Sequence, residues 1–392
     1  MDFKVSDDLA IHREAARKWV DENVDLAWLE EQHRTGIYQS MDLHRTLARD
    51  GILAAGWEPE YGGSDVNPDF ARAVIEEVTH LGFHVDGWVT TSMIINTIKH
   101  VGTEDQKQRY IGGALRGEVM IALGYSEPDS GSDMAAAKTT ATRDGDEWVI
   151  EGQKMFTSSA QVASHVFVLA RTNPEAPKHE GLSLFMVPTA SAGFDCHPIH
   201  CLGGQLTSTT YYAGVRIPDD ARIGGVDEGW KVMSVALVFE RGVGSPAGSE
   251  DHLTGDLIDW AAAATRPDGS RVLDDPLVEA RIGRMLVDDE VSRLLDHYAN
   301  WKAQTGELST TDSAFKKLFH AESQVRNHAL SLDVIGADGV LNADAPGVPA
   351  HGMFEHEYRY SVVRTIYGGS SEIMRDMIAQ RHLGLPRARP SK

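Results

Sequence analysis

Cysteine is nearly absent: Cys196 and Cys201 are the only two in 392 residues, too few for a disulfide framework and suited to a reducing compartment. Also missing is any apolar run near the ~20 residues that a membrane-spanning helix needs. The opening residues, MDFKVSDDLAIHREAARKW, carry acids and polar groups where a secretory segment needs an apolar run and a transit peptide avoids acids. These absences predict a cytoplasmic protein with no membrane partner. Positive charge is scarce as well. Lys and Arg total 37 against 58 Asp and Glu, a net charge of −21, and such a surface repels phosphate backbones and anionic lipid. Nucleic acid is therefore excluded as an expected partner, and any anionic ligand must be held by local Arg, Lys or backbone N–H groups. No low-complexity tract and no fixed-period repeat are present. What is plentiful is apolar material: hydrophobic residues make up 42%, enough for the core of two or three packed units.

The pattern along the chain changes twice. From Ser6 to about Gly117 apolar residues recur at helical spacing, as at Leu9, Ala16, Trp19 and Val20, and Thr103-Glu104-Asp105-Gln106 reads as a capped helix start. Pro59 and Gly62-Gly63 punctuate this region with a loop. Between about Ile121 and Ile223 short β-branched and aromatic runs take over (TTATRDGDEWVIEG, HVFVLART, GLSLFMVP, TTYYAGVRIP), read as antiparallel strands joined by turns such as Asp144-Gly145. After Gly229 helical periodicity returns and continues to His382, with breaks at Pro267-Asp268-Gly269 and from Gly336 to Gly352. The expected architecture is α+β: an N-terminal helical domain at 1–120, a middle antiparallel β domain at 121–228 and a C-terminal helical bundle at 229–392.

One loop stands out chemically. Ser126, Glu127, Ser130, Gly131 and Ser132 concentrate small hydroxyl residues and glycine, which lets backbone N–H groups approach an anion closely. The segment around it, GYSEPDSGSDMAAAKTTATRDGDEWVIEGQKMFTSS, resembles the central signature of the acyl-CoA dehydrogenases. So do PEYGG near Tyr61, GTEDQKQRY from Gly102, VRIPDDARIG and the closing IYGGSSEIMRDMIAQRHLGLP. Several motifs in the right order over nearly the whole chain are far more specific than any one alone. The resemblance implies FAD as cofactor, with Ser126 and the backbone near Tyr125 at the pyrimidine side of the ring, Ser132 at the pyrophosphate, and Phe156 and Ser158 beside the ring. It further implies flavin contacts from Ser370 and Glu372. Phe156 departs from the Trp of most relatives, which keeps an aromatic face but loses the indole donor.

Taking a proton from the carbon α to a thioester needs a positioned, partly desolvated carboxylate. Most of the family carries this Glu after the Tyr of a Y-E-G-T motif, but this chain reads Tyr367-Gly368-Gly369-Ser370. Gly368 cannot be the base, although its N–H could still polarise the substrate carbonyl. A minority of the family places the Glu on the helix opening the last domain, directly before an Arg, and Glu240-Arg241 in LVFERGVG matches that pattern. Glu240 is thus expected as the catalytic base, with Arg241 contacting substrate; a structural pairing of Glu240 with Arg241 or a neighbouring helix is the alternative.

Two other clusters invite a metal reading. In CHPIHC alternate side chains of a strand face opposite sides, so Cys196 and His200 point away from His197 and Cys201 and four ligands cannot converge. His351, Glu355, His356 and Glu357 in HGMFEHEYR could bind metal or line a substrate entrance, but are read as a solvated helix start or loop. No metal is expected. Trp230 and Met233 are expected in the core.

The resemblance as a whole implies oxidation of an acyl-CoA thioester to a trans-2-enoyl-CoA, with electrons passed to an electron-transferring flavoprotein. GYSEP, FER and GGSSE followed by LGLPRA are most similar to actinobacterial dehydrogenases acting on steroid side-chain CoA thioesters. Rival readings are a flavin monooxygenase of the same fold, and a non-catalytic subunit that completes another chain's flavin site. Glu240 argues against both. The family's R-x-x-F-G loop, by which one subunit completes its neighbour's flavin site, is replaced by AATRPDGSRVLDDP, and its Q-x-x-G-G-x-G turn by Asp333-Val334-Ile335-Gly336-Ala337-Asp338-Gly339. An acidic residue then faces a pyrophosphate, which is unfavourable. A homologous partner chain in a heterotetramer is therefore expected, with a homotetramer as the alternative.

Overall fold

The computed structural model describes residues 7–242, 251–305, 307, 309–343 and 345–387; the side chains at 7–10, 238, 240–242, 251–252, 300, 303–304 and 351 are also outside the described set. Two compact units are present. The first opens with α1 (Asp7–Asn23), α2 (Ala27–Thr35), α3 (Met41–Arg49), α4 (Pro68–His80), α5 (Asp86–Val101) and α6 (Glu104–Leu115). The start of α6 is the expected capping box: the Thr103 side chain accepts from the Gln106 N–H, and the Gln106 side chain accepts from the Thr103 N–H. That exchange satisfies two donors that a bare helix end would strand.

Eight strands follow: β1 (Ile121–Gly124), β2 (Thr140–Asp144), β3 (Glu147–Lys154), β4 (His165–Arg171), β5 (Leu182–Pro188), β6 (Phe194–His200), β7 (Leu206–Pro218) and β8 (Arg222–Ile223). They form one sheet in the order β6-β7-β3-β2-β4-β5-β8, with β1 paired to β4. The pairing is antiparallel except at β1 with β4 and at the single Thr140–Arg171 pairing of β2 with β4, which are parallel. The expected antiparallel character of the middle domain holds at every other pairing. Gly145 at φ 63° makes the β2–β3 turn. Gly214, at φ 67°, is the extra residue that bulges β7 opposite the Ile150–Glu151 step of β3.

The apolar runs of β4 and β5 make sense as strands buried on both faces. Phe167 and Leu169 of β4, with Leu182, Leu184 and Met186 of β5, join a core shared with α5, α6 and α7 (Gly229–Gly242). Val166, Val168 and Ala170, with Phe185 and Val187, face the opposite core around Trp148, Ile150 and Tyr212. Met233 is fully buried in the first of these cores, and Trp230 packs against it, as expected.

The second unit contains α8 (Asp251–Ala263), α9 (Pro276–Gln304), α10 (Thr310–Ile335), α11 (Met353–Arg364) and α12 (Ser371–Met377). Here the reading of HGMFEHEYR needs correction. His351 lies outside the described side chains, but Glu357 is not solvated: it is buried with Phe354, Tyr360 and Ser361 on α11. Its carboxylate accepts from Arg364 at 2.9 Å and contacts His356 at 3.1 Å. Helical register turns position 357 inward, and Arg364, seven residues on along the same face, supplies the compensating charge. Burial alone would push this carboxyl up; the hydrogen bond with His356 and the charge of Arg364 reverse the effect and hold it well below the ordinary carboxylate range. No helix among the described residues is long and apolar enough to cross a membrane.

Candidate active site

Within the first unit, the hydroxyl-rich loop leaves β1 at Gly124 and is anchored at its start by the Glu127 side chain. Glu127 is buried. Its two carboxylate oxygens accept from the backbone N–H of Lys138 (2.6 Å) and of Thr139 (2.9 Å), and from the Lys154 ammonium at 2.8 Å. The loop also closes on itself through reciprocal backbone bonds between Glu127 and Ser130. Lys154, at the end of β3, is wholly buried and also donates to the Tyr125 carbonyl at 3.3 Å. Burial depresses its pKa to about 8, against the pull of Glu127 in the other direction. Glu127 itself is held below its ordinary value: burial acts to raise it, but Lys154 and the two backbone donors outweigh that.

The next residue closes the arrangement. The Met155 N–H donates to the Ser126 carbonyl at 2.9 Å, so the segments 125–126 and 155–158 run side by side. Phe156 then takes a left-handed backbone, φ 59°, and is 59% exposed. A bulky residue in that region is strained and signals a constraint from function or packing. Ser158 contacts the Thr207 hydroxyl at 3.2 Å, and the Thr157 N–H donates to the Ser208 carbonyl at 2.9 Å. The structure therefore brings the segments that carry Tyr125, Ser126, Phe156 and Ser158 together. Ser132 lies further along the same loop and is exposed.

Two observations test whether this surface fits a polar, planar cofactor. The hydroxyls of Ser130 and Ser208 are buried without a hydrogen-bond partner, an arrangement that costs stability unless a ligand or water completes it. Phe156 on the neighbouring segment is exposed, and at Gly131 a side-chain carbon would meet nothing within 4 Å, so the loop backbone is open to close approach. These residues fit FAD.

Glu240 and Arg241 occupy the last turn of α7, in the same unit; their side chains lie outside the described residues. In the second unit, Gly368, Ser370 and Glu372 share one turn. Gly368 (φ 64°) and Gly369 (φ 91°) are both left-handed, a conformation that glycine adopts without the penalty other residues incur. Ser370 caps α12 by accepting from the Ile373 N–H, and Glu372 is exposed in the first turn.

Sequence reasoning passed over Lys154 and gave Glu127 no particular role. A signal was present: β3 alternates, so Lys154 falls in phase with the inward Trp148 and Ile150, and an inward lysine requires a partner.

Three family models match in order: the acyl-CoA dehydrogenase N-terminal domain over residues 6–118, the middle domain over 122–213 and the C-terminal domain over 227–383. Among curated proteins, the acyl-CoA dehydrogenase FadE26 of Mycobacterium tuberculosis is 36% identical over 353 residues, covering 87% of each chain. FadE29 of the same organism is 32% identical over 348 residues, covering 88% of each. Among solved structures, the Tcur3481-Tcur3483 steroid ACAD is 32% identical with a TM-score of 0.88, covering 99% of this chain and 100% of that one. The ChsE4-ChsE5 complex from Mycobacterium tuberculosis gives the same identity, coverage and TM-score. Ordered matches to all three models, together with the loop geometry, show that the chain belongs to the acyl-CoA dehydrogenases, FAD-dependent oxidoreductases that act on acyl-CoA thioesters.

Proposed function

We propose that this chain carries out α,β-dehydrogenation of a bulky acyl-CoA, a steroid side-chain thioester being the favoured class, with Glu240 as the base for the α-proton. The single observation that carries the reading is that the Glu240-Arg241 dipeptide lies on α7, the helix that shares a unit with the flavin loop, while the family's usual base position is Gly368 in this sequence. When bound, FAD supplies the acceptor for the hydride that leaves the β-carbon. The chain's own residues supply the rest. Ser126, Ser132, Phe156 and Ser158 hold the cofactor, Glu240 takes the proton and Arg241 contacts the substrate; the family resemblance assigns Ser370 and Glu372 to the flavin and the Gly368 N–H to the thioester oxygen. Electrons leave to an electron-transferring flavoprotein. The free cysteines Cys196 and Cys201 support a cytoplasmic location, and the family-model boundaries support domains at 1–120, 121–228 and 229–392. The steroid class rests on the likeness to the Tcur3481-Tcur3483 steroid ACAD.

Anaerobic mixing with a panel of acyl-CoAs tests the reading. Wild-type protein should bleach its flavin rapidly with the right thioester. Glu240→Gln should lose roughly three or more orders of magnitude in that rate while still binding flavin and enoyl-CoA product. A Gln variant that reduces flavin at a near-normal rate would clear Glu240 of the role.

We further propose a homologous partner chain. The segment that replaces the family's crossing loop is folded back on itself: Thr265 bridges to Arg271, Arg266 pairs with Asp275 at 2.7 Å, and Arg271 pairs with Asp274. Asp333 keeps its side chain 62% exposed near the end of α10. Neither feature suits a neighbour's pyrophosphate. The likeness to the ChsE4-ChsE5 complex and to the Tcur3481-Tcur3483 steroid ACAD supports a mixed assembly here.

A further inference from the structure

We infer that Lys154 is a positioning residue that acts on the flavin through a single peptide unit, the one joining Tyr125 to Ser126, with Glu127 holding its ammonium in place. The inference rests on the proposed flavin loop and goes beyond it by assigning a group that does not touch the cofactor. The Tyr125 carbonyl and the Ser126 N–H are two ends of one amide. A cation donating to that carbonyl draws electron density along the amide and makes the N–H a stronger donor. Lys154 donates there at 3.3 Å from a fully buried position. The carbonyl on the other side of Ser126 is taken by the Met155 N–H at 2.9 Å, so this peptide has little freedom to tilt.

Glu127 fixes the charge in turn. It cannot swing away from Lys154, because its carboxylate is also bonded to the N–H groups of Lys138 and Thr139. Arg171 ties down the far end of the loop by donating to the Ala135 carbonyl at 2.6 Å. Stability is a poor reason for such a pair, since a buried ion pair is commonly matched or exceeded by well-packed apolar residues of similar size. Placement of a fixed positive charge one peptide from the flavin's pyrimidine edge is a functional reason. An N–H strengthened in this way favours reduced flavin, whose pyrimidine side is richer in electrons, over oxidised flavin. Lys154 should therefore raise the midpoint potential as well as the affinity.

The test uses the whole protein, in complex with its partner where flavin loading requires one. Lys154→Met alone should melt early, because Glu127 is left buried and unpaired. Two double variants remove the charge without that penalty: E127Q/K154M, and E127Q/K154Q, whose amides keep neutral hydrogen bonds. Thermal melting, flavin dissociation constant, visible spectrum and midpoint potential are measured for each. We expect both doubles to recover most of the stability lost in the single variant. Oxidised flavin should bind them more weakly and its spectrum should shift. The ratio of reduced to oxidised affinity should fall about tenfold, equivalent to about 30 mV for a two-electron couple. A folded double variant with wild-type spectrum and potential would make the pair structural and overturn the inference while leaving the flavin loop intact. Wild-type protein that carries no flavin in any assembly would overturn the underlying reading as well.

Discussion

Acid sensitivity in the first unit should trace to His44. This residue lies on α3 with no exposed surface, packed near Trp88 at 6.0 Å between ring centroids, and both ring nitrogens are buried without a hydrogen-bond partner. Burial, with Arg45 adding repulsion, lowers its pKa from 6.5 to about 4. The sign follows directly: between these values the unfolded chain binds a proton that the folded chain does not, so stability is complete above pH 6.5 and falls as pH drops toward 4. At pH 5 the linkage amounts to about 2 kcal/mol, and it levels off near 3 kcal/mol below pH 4. His44→Leu keeps an apolar side chain in the site and abolishes the titration. Urea unfolding of wild type and H44L at pH 7 and pH 5, followed by tryptophan fluorescence, measures the difference. The wild type should lose about 2 kcal/mol more than the variant between the two pH values. Parallel losses in both proteins would show that the His44 ring is solvated or paired in solution, and the argument from burial would fail. His165, lowered to about 4 by burial and then by Arg109, should leave a residual acid dependence in H44L, which H44L/H165L would reduce further.

Three other outcomes are expected. Ser132→Asp places a carboxylate where the flavin pyrophosphate is proposed to sit and should strip the cofactor; full flavin occupancy in purified S132D would remove that loop assignment. Gly63→Ala should destabilise the first unit by more than about 3 kcal/mol, since a Cβ there would lie 1.8 Å from the Trp57 carbonyl oxygen and backbone must move; a melting curve matching wild type would contradict the close approach. Expressed alone, the chain should be flavin-poor or insoluble and be rescued by a co-expressed homologue, whereas a stable homotetramer with one flavin per chain would sink the mixed assembly.

Local features were readable from the residue order. Thr103 and Gln106 carry the capping box in their spacing, Gly145 marks its turn, and the short β-branched and aromatic runs of β4 and β5 announce strands. The order of motifs also identified the family and the loop from Tyr125 to Ser132, because short hydrogen bonds and tight turns impose residue types at fixed separations. What tertiary structure alone decided were pairings between distant segments. β1 runs parallel to β4, forty-four residues away by the Ile121–His165 register, and no local pattern specifies that choice of neighbour. Glu357 looked solvated in a polar stretch until helical register and Arg364 brought it inside. Lys154 and Glu127, twenty-seven positions apart, look like unrelated charges in the sequence. Only the folded chain, by removing both from water, obliges them to meet, because a buried charge is tolerated when an opposite charge and fixed donors replace its lost solvent.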